Sequence, residues 1–87
     1  MRKEYTKVLK TIFHKKLIQR REALGMSQEE MAERLSMACR TYIDLDHGKT
    51  CCSSITFVLF LLYVCEDPMK FLEELRYAIE ACDKMVA

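Results

Sequence analysis

The sequence predicts an all-α chain of five helices, and three observations carry that prediction. Hydrophobic residues make up 51% of the 87 positions, yet only two glycines and one proline interrupt them. Apolar residues recur three and four apart along much of the chain, the period of a helix with one buried face. The breakers stand where helix ends need them, at Gly25, Gly48 and the pair Asp67-Pro68. This length suits a single domain over residues 1–87 with one core. The core is expected over about residues 6–65, with a C-terminal helix over about 68–84 for packing or dimerisation. No run approaches the roughly 18–20 apolar residues of a membrane span. The basic start, Met1 to Lys7, lacks the apolar segment and cleavage site of a signal peptide. A cytoplasmic location is therefore expected, with no membrane partner.

The first helix is predicted over 6–24, with Val8, Leu9, Ile12, Phe13, Leu17 and Leu24 in register and Thr6 as N-cap. Residues 1–5 are expected to fray. Lys7, Lys10, Lys15, Lys16 and Arg20 fall mostly on other sides. Gly25 ends the helix, because the residue after a helix commonly takes a positive φ that glycine adopts without strain. Ser27 opens the second helix. Its hydroxyl can accept from the Glu30 amide while the Glu30 carboxylate reaches back to the Ser27 amide, a capping box. Met31 and Leu35, one turn apart, share a face. Met37 lies in the break, and the third helix follows over about 38–46, where Tyr42 and Leu45 share a face. Ala32 is small where two helices crossing sharply would touch. Residues 28–47 thus read as a helix-turn-helix, whose second helix keeps Cys39, Arg40, Ile43, Asp44 and His47 on its outer side. Gly48 closes that helix as Gly25 closes the first.

Residues 49–54 form a polar loop, and Ser53 or Ser54 caps a fourth helix over about 54–65. That helix is apolar on every side, so both sides should be buried. Its second side needs a cover, either the C-terminal helix or a second copy of the chain. Asp67 as N-cap and Pro68 at the first helical position start the fifth helix. Its stripe is Met69, Leu72, Leu75, Ile79 and Cys82, widened by Phe71 and Ala78, and serves as core or as a dimer seam. If helices four and five form one interface, its candidates are Phe57, Phe60, Leu61, Val64, Leu72, Leu75 and Ile79.

The charge is +1 overall but uneven. Residues 1–21 hold eight Lys/Arg against one Glu, +7, while residues 22–65 and 66–87 each hold three bases against six acids, −3. A basic first quarter suits phosphate contact, or is a solvated helix face. Five cysteines is an odd number, and their spacing fits no zinc pattern: Cys51 and Cys52 are adjacent, and Cys65 and Cys82 have no nearby His. Reduced, mostly buried thiols are expected, with a redox switch at Cys39 or Cys51-Cys52 as the alternative. His14 and His47 stand apart and read as surface residues. Nothing points to a metal, a cofactor or a small-molecule ligand. An enzyme is not expected, because there is no His/Asp/Ser or His/Cys constellation and no glycine-rich phosphate loop.

Arg21, Gly25, Met26, Ser27, Gln28, Glu29, Glu30, Met31 and Ala32, followed by Thr41, Tyr42, Leu45, Asp46, Gly48 and Lys49, resemble the motif of the phage-repressor/Cro family of transcription regulators. The match covers 21–49 and extends loosely to about Pro68. Three positions depart from it: Ser36 stands where glycine is usual in the turn, Ala38 replaces the serine cap of the recognition helix, and Asp46 replaces glutamate. The resemblance implies a five-helix, lambda-repressor-like DNA-binding domain with its helix-turn-helix at helices two and three. It also implies an Arg21–Asp46 ion pair joining helix one to the end of helix three, and a phosphate contact from Gln28 at the start of helix two.

A helix-turn-helix offers the first part of its second helix to base edges in the major groove. Arg40 is the best reader, since its planar fork matches O6 and N7 of guanine. Cys39 and Ile43 can pack on a thymine methyl, and Asp44 can accept from a cytosine amino group. Thr41, His47 and Lys49 join Gln28 as candidates for phosphate contact, with Arg20 and the lysines of helix one adding affinity. The expected function is a sequence-specific double-stranded DNA-binding regulator, a repressor acting as a homodimer on a pseudo-palindromic operator. One alternative is a protein-interaction module, antitoxin-like or anti-repressor-like, that keeps the fold but has lost DNA binding. Asp44, Asp46 and exposed Ile43 favour it. A thiol-based redox regulator is the other.

Overall fold

The computed structural model describes the backbone of residues 2–86 and the side chains of residues 4–84. Among the described residues every regular element is a helix: α1 (Arg2–Leu24), α2 (Gln28–Arg34), α3 (Cys39–Asp46), α4 (Ser54–Tyr63) and α5 (Pro68–Val86). At 1.5 Å per residue α1 is about 34 Å long, which sets most of the 42 Å long dimension.

The start of α1 differs from expectation. Thr6 lies inside the helix rather than capping it, because nothing in Arg2 to Tyr5 breaks a helix and the Tyr5 hydroxyl donates to the Asp83 carboxylate of α5. Of the residues expected to fray, 2–5 are therefore helical, and Met1 lies outside the described residues. Leu24, placed in the apolar register, is 39% exposed at the other end.

Three helices finish in one way. The amides of Gly25 and Met26 donate to the carbonyls of Glu22 and Arg21, those of Ser36 and Met37 to Glu33 and Ala32, and those of Gly48 and Lys49 to Leu45 and Asp44. Each is the paired hydrogen bond of a Schellman turn around one left-handed residue. Gly25 (φ 64°) and Gly48 (φ 73°) take that conformation freely, whereas Ser36 (φ 55°) must hold it with a Cβ. At the start of α2 the Glu30 amide donates to Ser27 Oγ at 3.1 Å and the Ser27 amide to Glu30 Oε1 at 2.9 Å, the predicted capping box. Ser53, not Ser54, caps α4, accepting from the Thr56 amide at 3.2 Å. Asp67 caps α5 by accepting from the Lys70 amide at 3.1 Å.

The seam between α2 and α3 is buried throughout: Met31, Ala32, Leu35, Tyr42 and Leu45 are each at most 4% exposed. Beneath it, Phe13 and Leu17 of α1 meet Phe60, Val64 and Phe71 in the same core. The rings of Phe13 and Phe60 meet edge to face at 4.9 Å between centroids, and those of Phe60 and Phe71 at 5.7 Å. Such offset contacts add to the area these rings bury.

Two expectations about α4 fail. It ends at Tyr63, two residues early, where Arg20 Nε of α1 donates to the Val64 carbonyl and Arg34 of α2 donates to that of Tyr63. It is also not covered on both sides. Thr56, Phe60 and Val64 face the core, but Ile55, Val58 and Leu62, at i, i+3 and i+7, are 65%, 46% and 66% exposed. The physical reason is that α5 packs chiefly along α1 and meets α4 through Phe71.

The anticipated interface changes accordingly. Phe60 and Val64 are sealed in the chain's own core and cannot meet a partner. Phe57, Leu61 and Leu75 are partly buried against that core, Ile79 is half-buried, and Leu72 is open to solvent. The buried side of α5 is Phe71, Leu75, Ala78 and Cys82, so Met69 and Leu72, predicted in the stripe, point outward.

Candidate functional site

Everything that fixes α3 converges on Asp46, whose side chain is only 5% exposed. Arg21 Nε donates to Oδ1 at 3.0 Å, the Tyr42 hydroxyl donates to the same oxygen at 2.9 Å, and Gln28 Nε2 donates to Oδ2 at 2.9 Å. α1, α2 and α3 are thereby tied through one carboxylate. Aspartate is one methylene shorter than glutamate, yet it reaches all three donors. Burial alone would raise its pKa. The hydrogen bonds from Gln28 and Tyr42 and the Arg21 charge outweigh that and hold it below the usual carboxylate range. Burial, with the Asp46 carboxylate beside it, raises the Tyr42 hydroxyl and keeps it a donor. No buried side-chain nitrogen or oxygen among the described residues lacks a hydrogen-bond partner, so the inner side of α3 is held without a polar debt.

This network changes the part expected of Gln28. A carboxylate only accepts, so the amide must turn its NH₂ inward. The donor end named for a phosphate is committed to Asp46, leaving the helix end and the amide oxygen facing out. His14 is likewise not a surface residue. It is half-buried, and its Nε2–H donates to the Asp46 backbone carbonyl at 2.7 Å, satisfying one of the orphan carbonyls at the end of α3. A Cβ at Gly48 would meet the same ring at 3.5 Å, so the turn after α3 rests directly on α1. Sequence reasoning missed this contact because it joins a side chain to a backbone group 32 residues away. It also missed Arg20 and Arg34 as donors to the end of α4, since no residue pattern marks a carbonyl as the target.

The outer side of α3 is a different environment. Arg40, Thr41 and His47 are exposed, and Ile43 and Asp44 are half-buried. Cys39 is half-buried and packs partly against the core. Arg40 and Asp44 lie one turn apart but form no ion pair, and the Arg40 guanidinium has no partner among the described residues. Ala38 opens the helix with no side-chain cap for the first amides of α3. Lys49 is exposed just beyond the turn. This side thus carries an unpaired planar cation and a hydroxyl, with the Asp44 carboxylate one turn along.

The cysteines are all free thiols. Burial, followed by the neighbouring Cys51, pushes the Cys52 thiol up to about 12, and burial also raises Cys65. Thiolate is the reactive form, so these surroundings disfavour Cys52 as a switch. Among the described residues no three His, Cys, Asp or Glu side chains gather as a metal site would require. No helix among them is long and apolar enough to cross a membrane. No family model, no curated protein and no solved structure matches the chain.

Proposed function

We propose that the chain is a double-stranded DNA-binding transcriptional regulator of lambda-repressor-like design, reading bases with the outer side of α3 and acting as a homodimer, most simply as a repressor. The observation that carries this is the contrast across α3. Asp46, Tyr42 and Leu45 anchor its inner side, while Arg40 stands exposed and unpaired on the other. A rigid helix presenting a free guanidinium is what bidentate recognition of guanine requires. The resemblance of residues 21–49 to phage-repressor/Cro regulators supports the same reading. Arg40 and Ile43 are then the base readers, with Asp44 screening against phosphate or accepting from cytosine. Thr41, Lys49 and His47 contact the backbone, as does the start of α2 at Gln28.

A single domain reads only a few base pairs, and a two-fold pair reads half-sites one helical turn apart. The exposed row Ile55, Val58 and Leu62 supports a second copy as its occupant. α4 carries no charged residue, so two copies of this row can meet without electrostatic cost. This row replaces the buried Phe60 and Val64 as the proposed seam.

The test is selection of bound sequences from a random duplex pool, with affinity followed over a salt series. Enrichment of a pseudo-palindrome and a steep fall in affinity with salt are expected. A chain that enriches no sequence and shows no salt dependence is instead the protein-interaction module, for which half-buried Ile43 and, separately, the open row on α4 are the supporting observations.

A further inference from the structure

The described basic side chains of α1 divide into paired ones and unpaired ones, the latter being Lys7, Lys10 and Lys15. Lys16 pairs with Glu74 at 3.4 Å and lies over the Phe71 ring, Arg20 reaches Glu66 and the Val64 carbonyl, and Arg21 is bound to Asp46. Their charges are compensated within the chain, so the affinity for phosphate expected of Arg20 has no free cation behind it. Lys7 and Lys10 are different. Neither has a carboxylate partner among the described residues, and Lys10 Nζ donates only to the neutral Lys49 carbonyl, at 3.4 Å. With Thr11, His14 and Gly48 they line a cavity of about 240 Å³ that contains no acid.

This cavity lies where the chain leaves α3. His14 supports Gly48 from below, and the turn at Gly48 delivers exposed Lys49 to the same corner. Lys7 and Lys10, three apart on one helix, are neighbours on its surface. Lys10 thus reaches the backbone of the turn that carries Lys49, which puts the unpaired lysines of α1 beside the end of the helix proposed to read bases. Ammonium groups are point charges with donors only, which suits phosphate oxygens and not a base code.

We infer that Lys7, Lys10 and Lys49 form a phosphate track that seats the duplex backbone flanking the bases read by α3. The inference rests on the proposed DNA-binding reading and adds to it a sequence-independent contact from the front half of α1.

The experiment compares the full chain with Lys7→Gln/Lys10→Gln, which keeps both stems and a donor toward the Lys49 carbonyl. Lys70→Gln/Lys84→Gln on α5 is the charge-matched control. Affinity for a selected duplex and for a random one is measured across a sodium chloride series, with circular-dichroism melts to verify folding. For the Lys7/Lys10 variant, which removes two lysines from each protomer of the proposed dimer, the log–log salt slope should become shallower by about 3.6, at roughly 0.9 per phosphate contact. Both duplexes should lose affinity by the same factor at every salt concentration, and the α5 control should match the wild type. Lys7→Arg/Lys10→Arg should restore the slope. An unchanged slope in the Lys7/Lys10 variant while the wild type still binds DNA overturns the track alone, as does an equal loss in the α5 control. A wild type that binds no duplex removes the DNA-binding reading and the track with it, and capture by anionic vesicles in its place would assign these lysines to a lipid surface.

Discussion

The α2–α3 unit and the α4–α5 pair solve the same problem of holding helices together by opposite means. In α2–α3 nearly every constraint is local or specific: a capping box at Ser27, left-handed turns at Ser36 and Gly48, and one carboxylate accepting from three neighbours. α4 and α5 meet through tilted and edge-to-face aromatic rings around Phe71, and apolar surface is left over on both helices. A helix proposed to hold a reading face to a fraction of an ångström gains from directional bonds. A pair whose surplus surface is proposed to meet a second copy needs only hydrophobic area. Precision and stickiness are thus separated along the chain.

The sharpest way to break this contrast is Asp46→Asn, which removes the charge while keeping the shape. It leaves Arg21 without its counter-ion, and a loss of about 3 kcal/mol is expected in denaturant unfolding. Acid should act through the same group. Its folded pKa is depressed, so its stabilisation is present above the unfolded value near 4 and is lost as pH falls through the folded one. Wild-type stability should therefore drop below about pH 4, and the Asp46→Asn variant should show a flatter acid limb in the same titration. Ser27→Ala removes one half of the capping box and should cost about 1 kcal/mol. Ser36→Gly should stabilise, by about 0.5–1 kcal/mol, because glycine carries no penalty for the left-handed turn that serine now holds. Leu62→Glu should change monomer stability by less than about 0.5 kcal/mol, since the side chain is 66% exposed. Sedimentation should show that it abolishes association, whereas an unchanged dimer would move the seam elsewhere.

The same contrast explains what the residues alone revealed. Ser27, Glu30, Gly25, Gly48 and the Met31–Leu35 and Tyr42–Leu45 pairs follow rules that act over three or four positions, and the structure keeps each of them. The pairing of α4 and α5 follows no such rule. A helix that is apolar all round does not say which side it buries, so Phe60 and Ile55 look equivalent until α1 and α5 choose between them. On α5 the bulk of Phe71 outweighed the spacing that favoured Met69 and Leu72. At the site, Arg40 and Lys49 were legible as exposed cations. The use of His14 as a prop under Gly48 and the capture of the Gln28 amide by Asp46 arise from chain segments brought together only on folding.

The most direct test of the central claim is a titration of wild type and Arg40→Ala against a selected duplex and a random one at a fixed salt concentration. Loss of a bidentate guanine contact removes about 1–3 kcal/mol, so the variant should bind the selected site roughly 5- to 150-fold more weakly and the random duplex equally well. Equal affinity of both proteins for the selected site, or the same loss on both duplexes, would contradict the assignment of α3 as the reading helix.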